Sequence, residues 1–180
     1  MLIRDADAQS DASACAAIYA PYVRDTPISL EETPPTTNEI AERIETTTRT
    51  HPWIVAEYAS QLVGYAYATR HRERASYRWA TDVAVYVSPA FQRKGVGRAL
   101  YQALFEQLTE QGFRIACAGI TLPNEASVGL HESLGFQAVG TYRRIGWKFG
   151  GWHDVGWWQL QLGNPGIPPT EPLPPLTPRR

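Results

Sequence analysis

Apolar residues recur every four positions in one long stretch of the chain, and this spacing predicts an amphipathic helix. Val96, Leu100, Leu104 and Leu108 form the apolar face of that stretch. Gly112 follows the last of them, and a glycine at this position is a common helix C-terminal stop. The pattern therefore predicts a helix from about residue 96 to residue 111.

Three other helices are predicted from their starting residues. Ser10 or Asp11 is expected to cap a first helix, because either side chain can accept hydrogen bonds from uncapped backbone N–H groups. Thr36 and Glu39 have the spacing of a capping box, so a second helix should begin there. A short helix is expected from Asn124 to Leu134.

Between the helices lie short apolar or alternating segments that predict strands. Two of them flank a tight turn at residues 59–61 and should form a hairpin. The strand segments are residues 2–4, 53–58, 62–67, 77–87, 113–120, 136–147 and 152–161. In residues 77–87 the valines should face one side of the sheet, and Asp82 should face the other. This mixture of hairpins and crossovers predicts an α/β fold around a mixed sheet.

Composition adds limits on domain number and partners. The chain has 180 residues, 43% of them hydrophobic, which suits one ordinary domain. Prolines dominate from residue 163 onward, so we expect a folded unit of residues 1–162 and a disordered tail of residues 163–180. A net charge of -1 gives no reason to expect nucleic acid as a partner. The N-terminus lacks signal-peptide features and no apolar run is long enough for a membrane span, so we expect a cytoplasmic protein with no membrane partner.

The two cysteines, Cys15 and Cys117, lie in separate apolar stretches. Buried free thiols are the favoured interpretation over a disulfide. Two cysteines cannot supply a four-cysteine zinc site, and we expect no metal.

A glycine-bearing loop between a predicted strand and the predicted helix has the strongest chemical signal. Gly95 and Gly97 allow a ligand to approach the backbone at a helix N-terminus, where free N–H groups favour an anion. Arg93, Lys94 and Arg98 add positive charge. The loop suits a pyrophosphate, although a plain helix-entry loop is equally compatible with the glycines alone. It matches neither a P-loop nor a dinucleotide fingerprint.

Residues 92–97, Gln-Arg-Lys-Gly-Val-Gly, resemble the pyrophosphate-binding signature of the GNAT acetyltransferase superfamily. Segments 26–32, 85–89, 122–124, 131–136 and 151–156 resemble those of the phosphinothricin and methionine sulfoximine/sulfone N-acetyltransferases. The resemblance runs in order from residue 2 to about residue 162. It implies the acyl-CoA N-acyltransferase fold, with a central mixed, mostly antiparallel sheet flanked by helices.

The resemblance also implies acetyl-CoA as co-substrate, and it assigns binding residues. The pantetheine arm would pair with the backbone of one strand, and the pyrophosphate would rest on the loop that follows it. Asn124 and Ser127 would contact the arm, although Asn124 can equally serve as a simple N-cap. The full implied set is Val85, Tyr86, Val87, Arg93, Lys94, Gly95, Val96, Gly97, Arg98, Asn124 and Ser127.

Acetyl transfer to an amine needs a proton acceptor, donors for the oxyanion and an acid for the leaving sulfur. Asp82 is the candidate base, where the family usually has Glu; a salt-bridged or solvent-facing strand acid is the alternative. His131 is the candidate for assisting the sulfur or a proton relay, and a helix-surface histidine is its alternative. The backbone N–H groups of residues 85–87 could stabilise the oxyanion.

By the same resemblance, the acceptor pocket should be lined by Leu30, Glu31, Arg74, Tyr77 and Trp79. Arginine and tyrosine suit the carboxylate and the phosphinyl or sulfonyl oxygens of an amino-acid analogue. Arg74 could instead be a plain surface charge. Lys148 and Trp152 of the last hairpin are further candidates, with core packing preferred for Trp152.

The implied function is transfer of acetyl from acetyl-CoA to the primary amine of a small amino-acid-like acceptor such as L-phosphinothricin or methionine sulfoximine/sulfone. Two alternatives remain at this point: another acceptor (an antibiotic, a polyamine or a protein amino group), or a non-catalytic acyl-CoA-sensing module. The resemblance also implies a homodimer.

Overall fold

The computed structural model of the protein describes residues 1–164 and 170–175. Its strands are β1 (Leu2–Asp5), β2 (Trp53–Tyr58), β3 (Gln61–Arg70), β4 (Ala80–Val87), β5 (Ile115–Leu122), β6 (Gln137–Lys148) and β7 (Gly151–Gln161). Its α-helices are α1 (Ala8–Asp25), α2 (Thr37–Thr47), α3 (Val96–Gln111) and α4 (Glu125–Ser133). Short 3-10 turns lie at Ala75–Tyr77 and Pro89–Phe91.

Within the described residues the strands form one seven-stranded sheet in the order β1-β2-β3-β4-β5-β7-β6. Every neighbouring pair is antiparallel except β4 and β5, which are parallel. The expected mixed, mostly antiparallel sheet is therefore confirmed. The single parallel pair requires a crossover connection, and α3 supplies it.

The two faces of β4 contact different helices, as the alternation in the sequence predicts. Val83, with Val85 and Val87 beside it, packs in the core cluster that contains α3. Tyr86 packs in the cluster formed by α1, α2 and β2. Asp82 alternates with Val83, so it lies on the α1 and α2 face of the sheet.

Local signals set most of the helix ends. The capping box of Thr36 and Glu39 is present at the start of α2. Gly112 ends α3 with a left-handed φ of 97°, which a glycine adopts without strain. For α1 the expected cap was wrong: Asp7, rather than Ser10 or Asp11, accepts the backbone N–H groups of residues 9 and 10. Asp11 is instead buried in an ion pair with Arg4.

Residues 170–175 lie against the domain, so the expectation of a disordered tail does not hold for them. The Leu173 backbone exchanges hydrogen bonds with Gln111: its N–H donates to the Gln111 carbonyl at 2.6 Å, and its carbonyl accepts from Gln111 Nε2 at 2.9 Å. The indole N–H of Trp79 donates to the Thr170 carbonyl, and Arg78 pairs with Glu171. The rest of the predicted tail, residues 165–169 and 176–180, lies outside the described residues.

The thiols of Cys15 and Cys117 are both free, as expected; Cys15 is buried and Cys117 is half-buried. Core packing was the wrong expectation for Trp152, which is 59% exposed. None of the helices in residues 1–164 and 170–175 is long and apolar enough to cross a membrane.

Lys148 holds the segment that follows α1. Its ammonium donates to the carbonyls of Val23, Thr26 and Ser29 at 2.6, 3.1 and 2.7 Å, which uses all three of its donors. Lys148 is only 6% exposed. It therefore fixes the loop between α1 and α2. The sequence made Lys148 a candidate for binding the amine substrate, but its ammonium is engaged with these three carbonyls.

Lys148→Met should lower the free energy of unfolding by about 2–3 kcal/mol, because it leaves buried carbonyls without a charged donor. Urea denaturation of the parent and the variant measures this difference. Lys94→Met, at an exposed lysine, is the matched control and should change stability little. A variant at position 148 as stable as the control would refute this structural role.

Candidate active site

The sheet opens into a fork between β4 and β5. These strands pair only over residues 80–82 and 115–117. Beyond that point β4 remains paired with β3 and β5 remains paired with β7. A cavity occupies the fork, lined by Ile28, Val83, Ala84, Val85, Tyr86, Tyr101, Ala118, Gly119, Ile120, Thr121, Asn124, Ser127 and His131.

The edge of β4 that faces the fork is available to an extended ligand. Val85 and Tyr86 line the cavity, while the opposite edge of β4 pairs with β3. Val87 lies at the end of the strand, where its carbonyl accepts a hydrogen bond from the Tyr22 hydroxyl at 2.6 Å. The Tyr86 ring packs edge-on against Tyr19 and Tyr22, which fixes this part of the strand.

The loop after β4 leads directly to the N-terminus of α3. Arg93 and Gly95 have positive φ values of 60° and 81°, and no side chain caps the helix. Uncapped N–H groups at a helix start favour an anion. The Lys94 ammonium lies 4.9 Å from the Phe91 ring, and Arg98 donates to the Ser133 hydroxyl at 2.6 Å. The expected cationic loop is therefore present.

Two hydrophobic contacts fix the start of α3. The Val96 side chain is buried in the core beneath the sheet. A Cβ atom at Gly97 would lie 3.2 Å from the Leu130 side chain of α4, with Val87 and Val85 at 3.7 and 3.9 Å. Gly97 is thus needed for the close approach of α3 to α4 and β4.

Helix α4 begins beside the cavity. The Asn124 side chain accepts a hydrogen bond from the Ser127 N–H at 3.1 Å, so it does cap the helix. Asn124 and Ser127 both line the cavity. Capping uses only the Asn124 carbonyl oxygen. Its amide nitrogen has no hydrogen-bond partner within residues 1–164 and 170–175.

His131 also lines the cavity, but it is buried at 3% exposure, so the helix-surface alternative is wrong. Its Nδ1 lies 2.7 Å from the Ser127 carbonyl, which can only accept, so Nδ1 must carry the proton. Nε2 then accepts from the Tyr101 hydroxyl at 2.9 Å. Burial lowers the pKa of His131, and the neutral ring is the form that this network fits.

Asp82 lies at the point where the fork begins, opposite Cys117 of β5. Its carboxylate oxygen is 2.6 Å from Nδ1 of His71, which follows β3. Burial raises the pKa of Asp82, while the His71 hydrogen bond opposes that rise. Asp82 is therefore half-buried and partnered by an imidazole, and the alternative of a solvent-facing strand acid is wrong.

The Cys117 thiol completes a cluster with His71 and Asp82. One potential ligand atom from each of the three residues lies within 4.8 Å of the other two. Within the described residues, this is the group that could hold a metal ion. Burial raises the pKa of Cys117 to about 11, so the thiol is neutral near neutral pH. The expectation that no metal is required stays a prediction.

Two residues predicted to line the pocket for the amine substrate, Glu31 and Leu30, lie in the segment after α1 and contact other parts of the protein. Glu31 pairs with Arg43 at 2.8 Å and accepts from the Tyr19 hydroxyl at 2.9 Å. The Arg43 guanidinium lowers the pKa of Glu31, so the carboxylate is ionised. Leu30 packs on β6, where a Cβ atom at Gly146 would lie 2.5 Å from its side chain.

Three further residues were predicted to line the substrate pocket, and they lie in different surroundings. Tyr77 lies beside the cluster, with its ring 5.9 Å from the His71 ring. Arg74 precedes the same 3-10 turn and is exposed, as the surface-charge alternative had it. The indole N–H of Trp79 donates to the Thr170 carbonyl of the C-terminal segment, and this contact holds the indole N–H away from the cluster.

Sequence reasoning missed four residues at or beside the site: His71, Tyr101, Cys117 and Trp157, whose ring lies 6.0 Å from the His71 ring. The partners of His71 and Cys117 are distant along the chain, and no local pattern marks them. The helix pattern placed Tyr101 beside an apolar face, which gave no sign of a role in the site. The one available signal was His71 itself, an imidazole inside the Arg70, Arg72 and Arg74 cluster.

Residues 4–157 match the family described as the acetyltransferase (GNAT) domain. The chain belongs to the GNAT acetyltransferase family. It is 40% identical to a phosphinothricin N-acetyltransferase of Streptomyces viridochromogenes, over 97% of this chain and 94% of that protein. It is 36% identical to a Salmonella typhimurium L-methionine sulfoximine/L-methionine sulfone acetyltransferase, over 93% and 98%.

Solved structures of GNAT enzymes have the same fold. A phosphinothricin acetyltransferase from Sinorhizobium meliloti, in complex with acetyl-CoA, superposes with a TM-score of 0.87 at 36% identity, covering 95% of this chain and 92% of that one. The expected fold is thus confirmed. The protein is an acetyl-CoA-dependent N-acetyltransferase, so a purely sensing module is the wrong alternative.

Proposed function

We propose that this GNAT enzyme acetylates the amino group of a small amino-acid analogue such as L-phosphinothricin, methionine sulfoximine or methionine sulfone. The acceptors named for its relatives carry the proposal. The cationic corner beside Asp82 supports it, because Arg72 and Arg74 follow β3 there and Tyr77 contacts His71. Guanidinium groups and a phenol are suitable partners for carboxylate, phosphinyl or sulfonyl oxygens.

Acetyl-CoA fits the fork and the loop. An extended pantetheine arm would pair with the free edge of β4 at Val85, Tyr86 and Val87, and Asn124 and Ser127 would face it across the cavity. The pyrophosphate would be held by N–H groups at the start of α3. The loop residues in this role are Arg93, Lys94, Gly95, Val96, Gly97 and Arg98.

The reaction forms a bond between the amine nitrogen and the thioester carbon and breaks the carbon–sulfur bond. The amine must lose a proton before it attacks, and the Asp82 corner supplies the base. The backbone N–H groups of residues 85–87 that do not bond to β3 would stabilise the developing oxyanion. The thiolate of CoA leaves and takes up a proton.

His131 is assigned to the leaving-group side of the cavity. Its neutral ring accepts from the Tyr101 hydroxyl, so it orients that phenol in the cavity wall. In this role it positions Tyr101 rather than acting as a direct acid, because both of its ring nitrogens are engaged.

The acceptor's polar groups would meet Arg74 and Tyr77, and its chain would lie near Leu30. Glu31 shapes this region through Arg43 and Tyr19, and Trp79 is the least supported member of the predicted set. A polyamine acceptor would need free carboxylates, and the ion pair between Glu31 and Arg43 argues against that use.

The test is a thiol-release assay with acetyl-CoA and a panel of amines. L-phosphinothricin, methionine sulfoximine and methionine sulfone should give clearly higher kcat/KM than spermidine, an aminoglycoside or a peptide. Preference for any of the last three would replace the proposed acceptor class and leave the acetyltransferase reaction intact.

Gly97→Val should raise the KM for acetyl-CoA at least about tenfold, because the new side chain meets Leu130 and pushes α3 away from β4. Steady-state kinetics with a fixed amine measures the change. Gly129→Val is the matched control, since a Cβ atom at Gly129 meets no atom within 4 Å. Equal KM values for the two variants would contradict the assigned cofactor site.

We further propose a cytoplasmic homodimer that uses the β6–β7 hairpin. This hairpin exposes large apolar side chains that water does not favour: Val139, Tyr142, Ile145, Trp147, Phe149 and Trp152 are each 52–61% exposed. So many exposed large apolar side chains on one hairpin are typical of an interaction surface.

Light scattering should therefore give a mass close to twice the 20.1 kDa of one chain. Trp152→Glu should shift the protein toward the monomer, because it places a charge in an apolar contact. A monomeric parent at micromolar concentration would refute the dimer.

A further inference from the structure

We propose that His71, rather than Asp82, accepts the proton of the attacking amine, and that Asp82 is the positioning residue that orients its ring. The inference rests on the proposed function, since it concerns the base of that same site. It is drawn from the contacts of His71, which follows β3 and belongs to no part of the acetyl-CoA site assigned above.

The hydrogen bond between the two residues fixes the proton's place. An ionised carboxylate can only accept, so at 2.6 Å from Asp82 the His71 Nδ1 must carry the hydrogen. The Nε2 atom is then left with its lone pair. Within residues 1–164 and 170–175 neither Nε2 nor Asp82 Oδ2 has a hydrogen-bond partner, and an imidazole nitrogen is ordinarily the stronger base of two such atoms.

Two aromatic side chains hold the imidazole in this orientation. The ring packs edge-on against Tyr77 at 5.9 Å and against Trp157 at 6.0 Å, and only 16% of the His71 side chain is exposed. A base held by packing and by a carboxylate is arranged like the orienting pair of a catalytic triad.

The contacts of His71 lead to the fork. Trp157 covers Gly119, where an added Cβ atom would lie 3.3 Å from the indole, and Gly119 lines the cavity. Asp82 directly precedes Val83, the first residue of β4 to line the cavity. The His71–Asp82 pair therefore lies at the closed end of the fork, on the sheet face opposite α3.

The neighbouring charged and titratable groups are compatible with this role. Burial raises the pKa of Asp82, and Arg72, whose guanidinium lies 5.9 Å from the Trp157 ring, opposes that rise together with His71. Cys117, whose pKa burial raises to about 11, stays a neutral thiol and does not compete for the proton. Tyr77 contacts the ring only through its edge.

Acetylation removes two protons from the nitrogen of the acceptor. The ammonium form of the acceptor gives one proton to His71 Nε2, and the resulting imidazolium is stabilised by the Asp82 carboxylate before it releases that proton to solvent. The free amine attacks the thioester carbon, and the carbon–sulfur bond breaks. The second proton lost by the nitrogen ends on the CoA sulfur, giving the amide and the free thiol.

The test compares His71→Gln with the parent, using the amine that the panel identifies as the best acceptor. Glutamine retains a donor for Asp82 but has no basic nitrogen, so kcat should fall about 10²–10³-fold while the KM for acetyl-CoA changes little. His153→Gln, at a half-buried histidine that contacts the Lys148 carbonyl, is the matched control and should retain parental kcat.

Two further readouts separate a base from a structural residue. The pH profile of parental kcat at saturating amine should have an acid limb, because a protonated ring cannot accept a proton, and His71→Gln should lose that limb. Added imidazole should restore part of the activity of His71→Ala and none of that of Asp82→Ala.

Three results would overturn the proposal. His71→Gln could keep more than about a third of parental kcat while Asp82→Asn is inactive, which would make Asp82 the direct base. The acid limb could persist in His71→Gln. A chelator could abolish parental activity, which would assign His71, Asp82 and Cys117 to a metal. A different preferred amine would refute only the acceptor class, since all variants are compared on one acceptor.

Discussion

The divergence of β4 from β5 is the constraint on which the rest of the structure depends. Their parallel pairing stops after Asp82 and Cys117, while each strand stays paired with its antiparallel neighbour on the other side. Backbone groups that would have been satisfied within the sheet are thereby left for a ligand. The cavity, the proposed path of acetyl-CoA and the cluster of His71, Asp82 and Cys117 all lie around this opening.

Different elements hold the two arms of the fork. On the β4 arm, the Tyr22 hydroxyl donates to the Val87 carbonyl and its ring packs edge-on against Tyr86, so helix α1 anchors the strand. On the β5 side, α4 begins just after the strand and brings His131 to Tyr101 of α3. This buried polar contact between α3 and α4 forms part of the cavity wall.

The site combines two titratable networks with different electrostatic characters. Around His131, burial lowers the imidazole pKa and every ring nitrogen has a partner, which suits an orienting residue. Around Asp82, burial raises the carboxyl pKa but the His71 contact opposes it, and one imidazole nitrogen has no partner in the described part of the chain. This difference is the reason for proposing proton uptake at the Asp82 corner.

The C-terminal segment shows how long-range contacts escape sequence patterns. Residues 170–175 have the proline content of an unstructured tail, yet Leu173 pairs with the end of α3 and Thr170 engages Trp79. Trp79 consequently differs from the role predicted for it. Lys148 is a similar case, because its buried partners are three carbonyls more than a hundred positions away in the sequence.

The sequence by itself determined the element order, the two faces of β4, the capping box of α2, the end of α3 and the cationic glycine loop, because each follows from local periodicity or a local backbone requirement. It also placed Asp82, Asn124 and His131 near the site through resemblance. Only the tertiary structure decided which side chains meet there: the His71–Asp82 pair, the Tyr101–His131 pair and the burial of Lys148. Those contacts join residues far apart in the chain, and their free energies depend on the packing and desolvation that folding creates.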